Sequence, residues 1–85
     1  MKSIVWTHTA TKVTRKVQPK RRAMMIGAVE ALARGEPSDV KRLEGQPGRY
    51  RLRCGDWRLL LDMDAVSIVV RDVVPCGEAY AKKNR

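Results

Sequence analysis

The sequence predicts an α+β fold: an N-terminal strand, two helices and then a three-stranded antiparallel meander, with the helices on one face of the sheet. Three observations carry that expectation. Residues 50–61 alternate basic and apolar side chains about a Gly55-Asp56 pair, residues 65–74 form a β-branched run, and between them and the N-terminus lies a segment with helical apolar spacing. No repeat or low-complexity tract interrupts the chain, so residues 1–85 are read as a single domain.

Residues 2–6 are short, apolar in their second half and β-branched, which suits a first strand. Thr7 or Thr9 can cap a helix in which Ala10, Val13 and Val17 recur at spacings of three and four. Its threonines and valines lose rotamer freedom in a helix, so tertiary packing has to hold it. Pro19 suits the first turn of a second helix, where its missing N–H costs nothing. Met25, Ile26, Val29, Leu32 and Ala33 make the apolar stripe of that helix, and Gly35 followed by Pro37 ends it. Lys20, Arg21 and Arg22 stand at its N-terminal end, where the helix dipole disfavours them; they read as a solvated turn or as part of a basic patch. Residues 36–48, with two prolines and two glycines, read as a connecting loop with Leu43 tucked inward.

The hairpin is the clearest element. Gly55 supplies the positive φ of a primed turn, and that turn sets Cys54 opposite Trp57, Arg53 opposite Arg58, Leu52 opposite Leu59, Arg51 opposite Leu60 and Arg49 opposite Asp62. A turn at Asp64-Ala65 would pair Leu61 with Ile68, Leu59 with Val70 and Arg58 with Arg71. One sheet face then carries Arg49, Arg51, Arg53, Arg58 and Arg71 around Leu60, Asp62 and Val69. Like charges directly opposite each other repel, so stability alone does not explain them. An anion does.

Bulk composition points the same way. Eighteen Lys and Arg against nine Asp and Glu give a formal charge of +9, favouring a nucleic acid, a ribosome or an acidic protein as partner. No apolar run is long enough to cross a membrane and the N-terminus lacks the pattern of a signal peptide, so a cytoplasmic, membrane-free protein is expected. Cys54 and Cys76 are too few for a disulfide framework, and with the single His8 they lack the clustering of a zinc site. Cys54 reads as a small core residue and His8 as a surface or capping residue. No metal or other cofactor is expected.

Arginine pairs bidentately with phosphate oxygens and holds its charge at any working pH, so a converging set can grip a phosphodiester and stabilise its pentacoordinate transition state. Ribonuclease chemistry also needs a proton shuttle, and arginine is a poor one. Tyr80 is the candidate: it can stack on a base or donate a proton, or else anchor the C-terminal turn. Lys82 and Lys83 beside it are further candidates for RNA contact.

The stretch from Lys41-Arg42-Leu43-Glu44-Gly45 through Gly48-Arg49-Tyr50-Arg51-Leu52-Arg53-Cys54-Gly55-Asp56-Trp57-Arg58-Leu59 resembles the RelE/ParE superfamily of toxins from type II toxin–antitoxin pairs, closer to its RelE-like branch. The resemblance implies a compact toxin neutralised by a cognate antitoxin whose C-terminal segment wraps it. In the RelE-like branch it implies a ribosome-dependent, metal-independent mRNA endoribonuclease that inhibits translation, with Arg51, Arg53, Arg58 and Tyr80 on the catalytic positions. Arg49, Arg71, Lys82 and Lys83 are the accompanying RNA-binding candidates. A ParE-like toxin that binds DNA gyrase, or a weakened toxin that only captures antitoxin, are the alternatives. Where the family commonly reads His-Arg-Arg-Glu-aliphatic-Tyr, this chain reads Pro75-Cys76-Gly77-Glu78-Ala79-Tyr80. Cysteine thus stands where a strand-end arginine is expected, with Arg71 as a candidate replacement.

Overall fold

A computed structural model describes residues 1–76, with the elements β1 (Ser3–Trp6), α1 (His8–Arg15), α2 (Pro19–Ala33), β2 (Val40–Arg42), β3 (Arg49–Cys54), β4 (Trp57–Met63) and β5 (Ser67–Pro75). The five strands form one sheet in the order β1-β5-β4-β3-β2. The α+β class is as expected, with two differences. The sheet is mixed, because β1 runs parallel to β5 at one edge, and the meander has four strands, because Val40–Arg42 within the expected loop pairs antiparallel with β3. Three residues between Pro37 and Gly45 are too few to show a period, and charged Lys41 and Arg42 suit an edge that must not recruit another chain.

Both helices pack on one face. α1 lies against β5, and α2 against β1 and β3. Ala10 and Val17 from the α1 region and Met25, Val29, Leu32 and Ala33 from α2 close over Leu52, Leu59, Leu61, Ile68, Val70 and Val73 from the strands. Ile26, expected in the stripe, is 40% exposed: the buried α2 residues centre on Met25, Val29 and Leu32, which leaves Ile26 at the flank.

Helix α1 is held at both ends by side chains. The Thr7 hydroxyl oxygen accepts from the Ala10 N–H at 3.2 Å, the N-cap bond that the sequence suggested. At the other end Arg22 reaches back from α2: its Nε donates to the Thr14 carbonyl at 2.9 Å, and its Nη2 donates to the carbonyls of Arg15 and Val17, each at 3.0 Å. A cation misplaced for its own helix therefore serves the carbonyl end of the preceding one.

The β3–β4 register is the expected one at all five cross-strand pairs, turned by Gly55 at φ +60°. The β4–β5 register is not. Leu61 faces Val70 rather than Ile68, Leu59 faces Val73 rather than Val70, and Arg58 faces Val74 rather than Arg71. Two causes add. The Asp64 carboxylate accepts from the N–H groups of Val66 and Ser67, both at 2.8 Å, and so centres the turn on Ala65-Val66 instead of Asp64-Ala65. A bulge then follows: Leu61 faces Val70 and Leu60 faces Asp72, leaving Arg71 unopposed between them. The bulge shifts the core face from Ile68 and Val70 to Val73, keeping Asp72 out of the apolar layer. Thr7 secures it, its N–H donating to the Val70 carbonyl at 3.0 Å and its hydroxyl to the Arg71 carbonyl at 2.7 Å.

Candidate nucleic-acid interface

The sheet face away from the helices presents the arginines. Alternation in β3 puts Leu52 in the core and Arg49, Arg51 and Arg53 on the other side, and in β4 it puts Leu59 and Leu61 inside and Arg58, Leu60 and Asp62 outside. β2 adds Lys41, which pairs across from Arg51. Sequence reasoning missed Lys41 because it treated residues 36–48 as loop, and a three-residue strand carries no period that would have exposed it.

Two regions can be distinguished on this face. At the hairpin end Arg53 and Arg58 stand directly opposite each other, and the Arg58 Nε is shielded from solvent with no hydrogen-bond partner among the described residues. A buried guanidinium donor left unpaired costs free energy unless something else accepts from it. At the other end Asp62 sits between two arginines, with Arg49 Nε 3.5 Å from its Oδ1 and Arg71 Nε 3.5 Å from its Oδ2. Both are ion pairs rather than hydrogen bonds, and Oδ1 has no hydrogen-bond donor among the described residues. Arg49 is also tied by Nη1 to the Gln46 side-chain oxygen at 3.2 Å.

Arg51, Arg53, Arg58 and Arg49 therefore share one face as expected, and Arg71 joins them at a different place. The bulge carries it beside Asp62 instead of opposite Arg58. Tyr80, Lys82 and Lys83 lie outside the described residues. Cys76 is buried at the end of β5, and its N–H donates to the Asp56 carbonyl at 2.8 Å. Cys54 is partly buried against the core, and burial pushes its thiol pKa up, so it has the packing character expected of it. His8 is exposed in the first turn of α1, next to the capping Thr7. Among the described residues there is no cluster of His, Cys, Asp or Glu arranged to hold a metal ion, and no helix is long and apolar enough to cross a membrane.

No family model and no curated protein matches the sequence. Solved structures do. The chain is similar to a chain of the RelB–RelE antitoxin–toxin complex from Methanococcus jannaschii, with TM-score 0.75 and 20% identity over 92% of this chain and 96% of that one. It is also similar to the toxin–antitoxin complex RelBE2 from Mycobacterium tuberculosis, at TM-score 0.73 and 24% identity over 87% and 90% of the two chains. The isolated RelE toxin of Escherichia coli matches at TM-score 0.70 and 22% identity, covering 99% of this chain and 98% of that one. The fold is that of the RelE-like toxins.

Proposed function

We propose that this protein is the toxin of a type II toxin–antitoxin module, acting on RNA at the ribosome and inhibiting translation by metal-independent mRNA cleavage in the cytoplasm. The observation that carries the proposal is the Arg53–Arg58 pair: like charges placed opposite each other, one with a buried Nε that no described residue satisfies, on the open sheet face of a RelE-like fold. A phosphodiester supplies the missing acceptor and removes the repulsion at once. Arg51, Arg53 and Arg58 hold the scissile phosphate and neutralise the charge that grows as the ribose 2′-hydroxyl attacks phosphorus and the P–O5′ bond breaks. The proton leaves the 2′-hydroxyl and another reaches the departing 5′-oxygen; Tyr80 is the group assigned to that transfer. Arg49, Arg71, Lys82 and Lys83 extend the contact along the strand, and an antitoxin covering this face neutralises the toxin.

A second reading is favoured by Cys76. No arginine stands at the end of β5, and Arg71 is held beside Asp62 while Val74 faces Arg58. On this reading the chain binds antitoxin and RNA but cuts slowly. Expression of the chain without an antitoxin, with genome-wide mapping of mRNA 5′ ends, separates the two. New in-frame 5′-hydroxyl ends that vanish in Arg53→Ala support cleavage; growth arrest with intact transcripts, or an SOS response, overturns it.

A further inference from the structure

The open face changes character along its length. Arg53 and Arg58 at the hairpin end meet no carboxylate among the described residues, whereas Asp62 separates Arg49 from Arg71 at the other end. Four residues of strand set the two ends about 14 Å apart. Beside Asp62 lies a cavity of about 330 Å³, with Pro47 and Val69 among its apolar walls and Arg49, Asp62, Asp64 and Ser67 among its polar ones. It opens at the Ser67 end of β5, the end remote from residue 76.

Asp62 and Asp64 balance Arg49 and the adjacent Arg71 here, and without a surplus of positive charge this cavity is a poor phosphate site. A neutral ring suits it better, provided that its edge donates. Asp62 is 43% exposed at its side chain while Oδ1 is shielded, which leaves Oδ2 as its accessible oxygen. The Arg71 Nε at 3.5 Å from Oδ2 is well beyond the roughly 2.7–2.9 Å of a charge-assisted hydrogen bond, so that oxygen keeps acceptor capacity. The Asp64 Oδ1, by contrast, is engaged by Val66 and Ser67 in the turn. Among RNA bases, guanine offers two neighbouring N–H donors at N1 and the 2-amino group. Adenine and cytosine place a lone pair beside their amino group, and uracil flanks its single N–H with two carbonyls; these lone pairs would face the carboxylate.

The geometry points to a guanine-reading pocket at the loop end of the arginine face, with the Asp62 carboxylate as acceptor. It rests on the RNA-binding reading above and deepens it. The pocket takes the base of a nucleotide neighbouring the one whose phosphate Arg53 and Arg58 grip, while Arg49 and Arg71 flank it for the backbone.

The test titrates the purified chain with the four nucleoside 5′-monophosphates and with short RNAs differing at one base, following the Ser67 and Val69 amides by NMR. The guanine-containing ligands are expected to bind roughly tenfold tighter than their adenine counterparts. That ratio falls towards one in Asp62→Asn, and also in Val69→Phe, which fills the cavity and leaves Asp62 in place. Equal affinity for the four nucleotides, or a guanine preference that survives both substitutions in folded protein, overturns the pocket while RNA binding sensitive to Arg53→Ala still stands. If short RNAs bind wild type no better than Arg53→Ala, the RNA reading fails and the pocket falls with it.

Discussion

Residues on the open face are arranged against stability, and that makes their role measurable. Arg53 and Arg58 repel across the β3–β4 pair, and the Arg58 Nε is shielded without a partner among the described residues. Arg58→Met keeps the length of the stem and removes both penalties, so it should raise unfolding free energy by about 1 kcal/mol. RNA affinity should move the other way, falling at least about tenfold, since one charge-assisted contact contributes about 1.5–3 kcal/mol. Urea denaturation and RNA titration on the same preparation check the opposed signs. Asp64 works in the opposite sense, for stability alone. Hydrogen bonds from the backbone of Val66 and Ser67 hold its carboxyl below the usual carboxylate range. Its folded pKa is depressed, so its contribution is present above the unfolded value near pH 4 and is lost as pH falls through the folded one. Between about pH 5 and about pH 2, the melting temperature of Asp64→Ala should therefore fall less steeply than that of the wild type.

At the scale of elements, the hairpin was fully legible in the sequence and the strand after it was not. Gly55 demands one turn type, so the β3–β4 pairs follow from it, whereas Asp64 acts through its side chain and moved the next turn by one residue. The bulge did leave a trace. Strict alternation from Ile68 and Val70 would bury Asp72 and expose Val73, and an extra residue at position 71 avoids both. Arg22 was legible only as an anomaly, a cation at the wrong helix end, because its acceptors on Thr14, Arg15 and Val17 lie at the end of the preceding helix and just beyond it. Those three bonds tie α2 to the carbonyl end of α1. Arg22→Ala should destabilise the fold by about 2 kcal/mol, and Arg22→Lys should recover only part of that because an ammonium lacks the planar fork. Thermal unfolding of the two variants decides it, and hydrogen exchange should show the loss concentrated in α1.

For the whole molecule, a formal charge of +9 could arise from cations spread evenly over the surface, and then no face would differ from another. It is not spread evenly. Lys41, Arg49, Arg51, Arg53, Arg58 and Arg71 share the helix-free face, where Asp62 and Asp72 are the carboxylates among the described strand residues. Of the cations elsewhere, three are committed within the fold: Arg34 is paired with Glu36 at 2.6 Å, Arg21 lies 3.6 Å from Asp56, and Arg22 caps α1. Binding to single-stranded RNA should then release counterions from a limited set of phosphates, giving log K a slope against log salt of about −0.7 for each phosphate contacted. Reversing the charge at Lys41, which pairs across from Arg51 on the edge strand, should lower that slope by about one contact. Lys16→Glu, on the helix side, changes the net charge equally and should leave the slope unaltered. If the two substitutions act alike, affinity follows net charge and the open face is not the interface; if only Lys41→Glu acts, the sheet face carries the RNA.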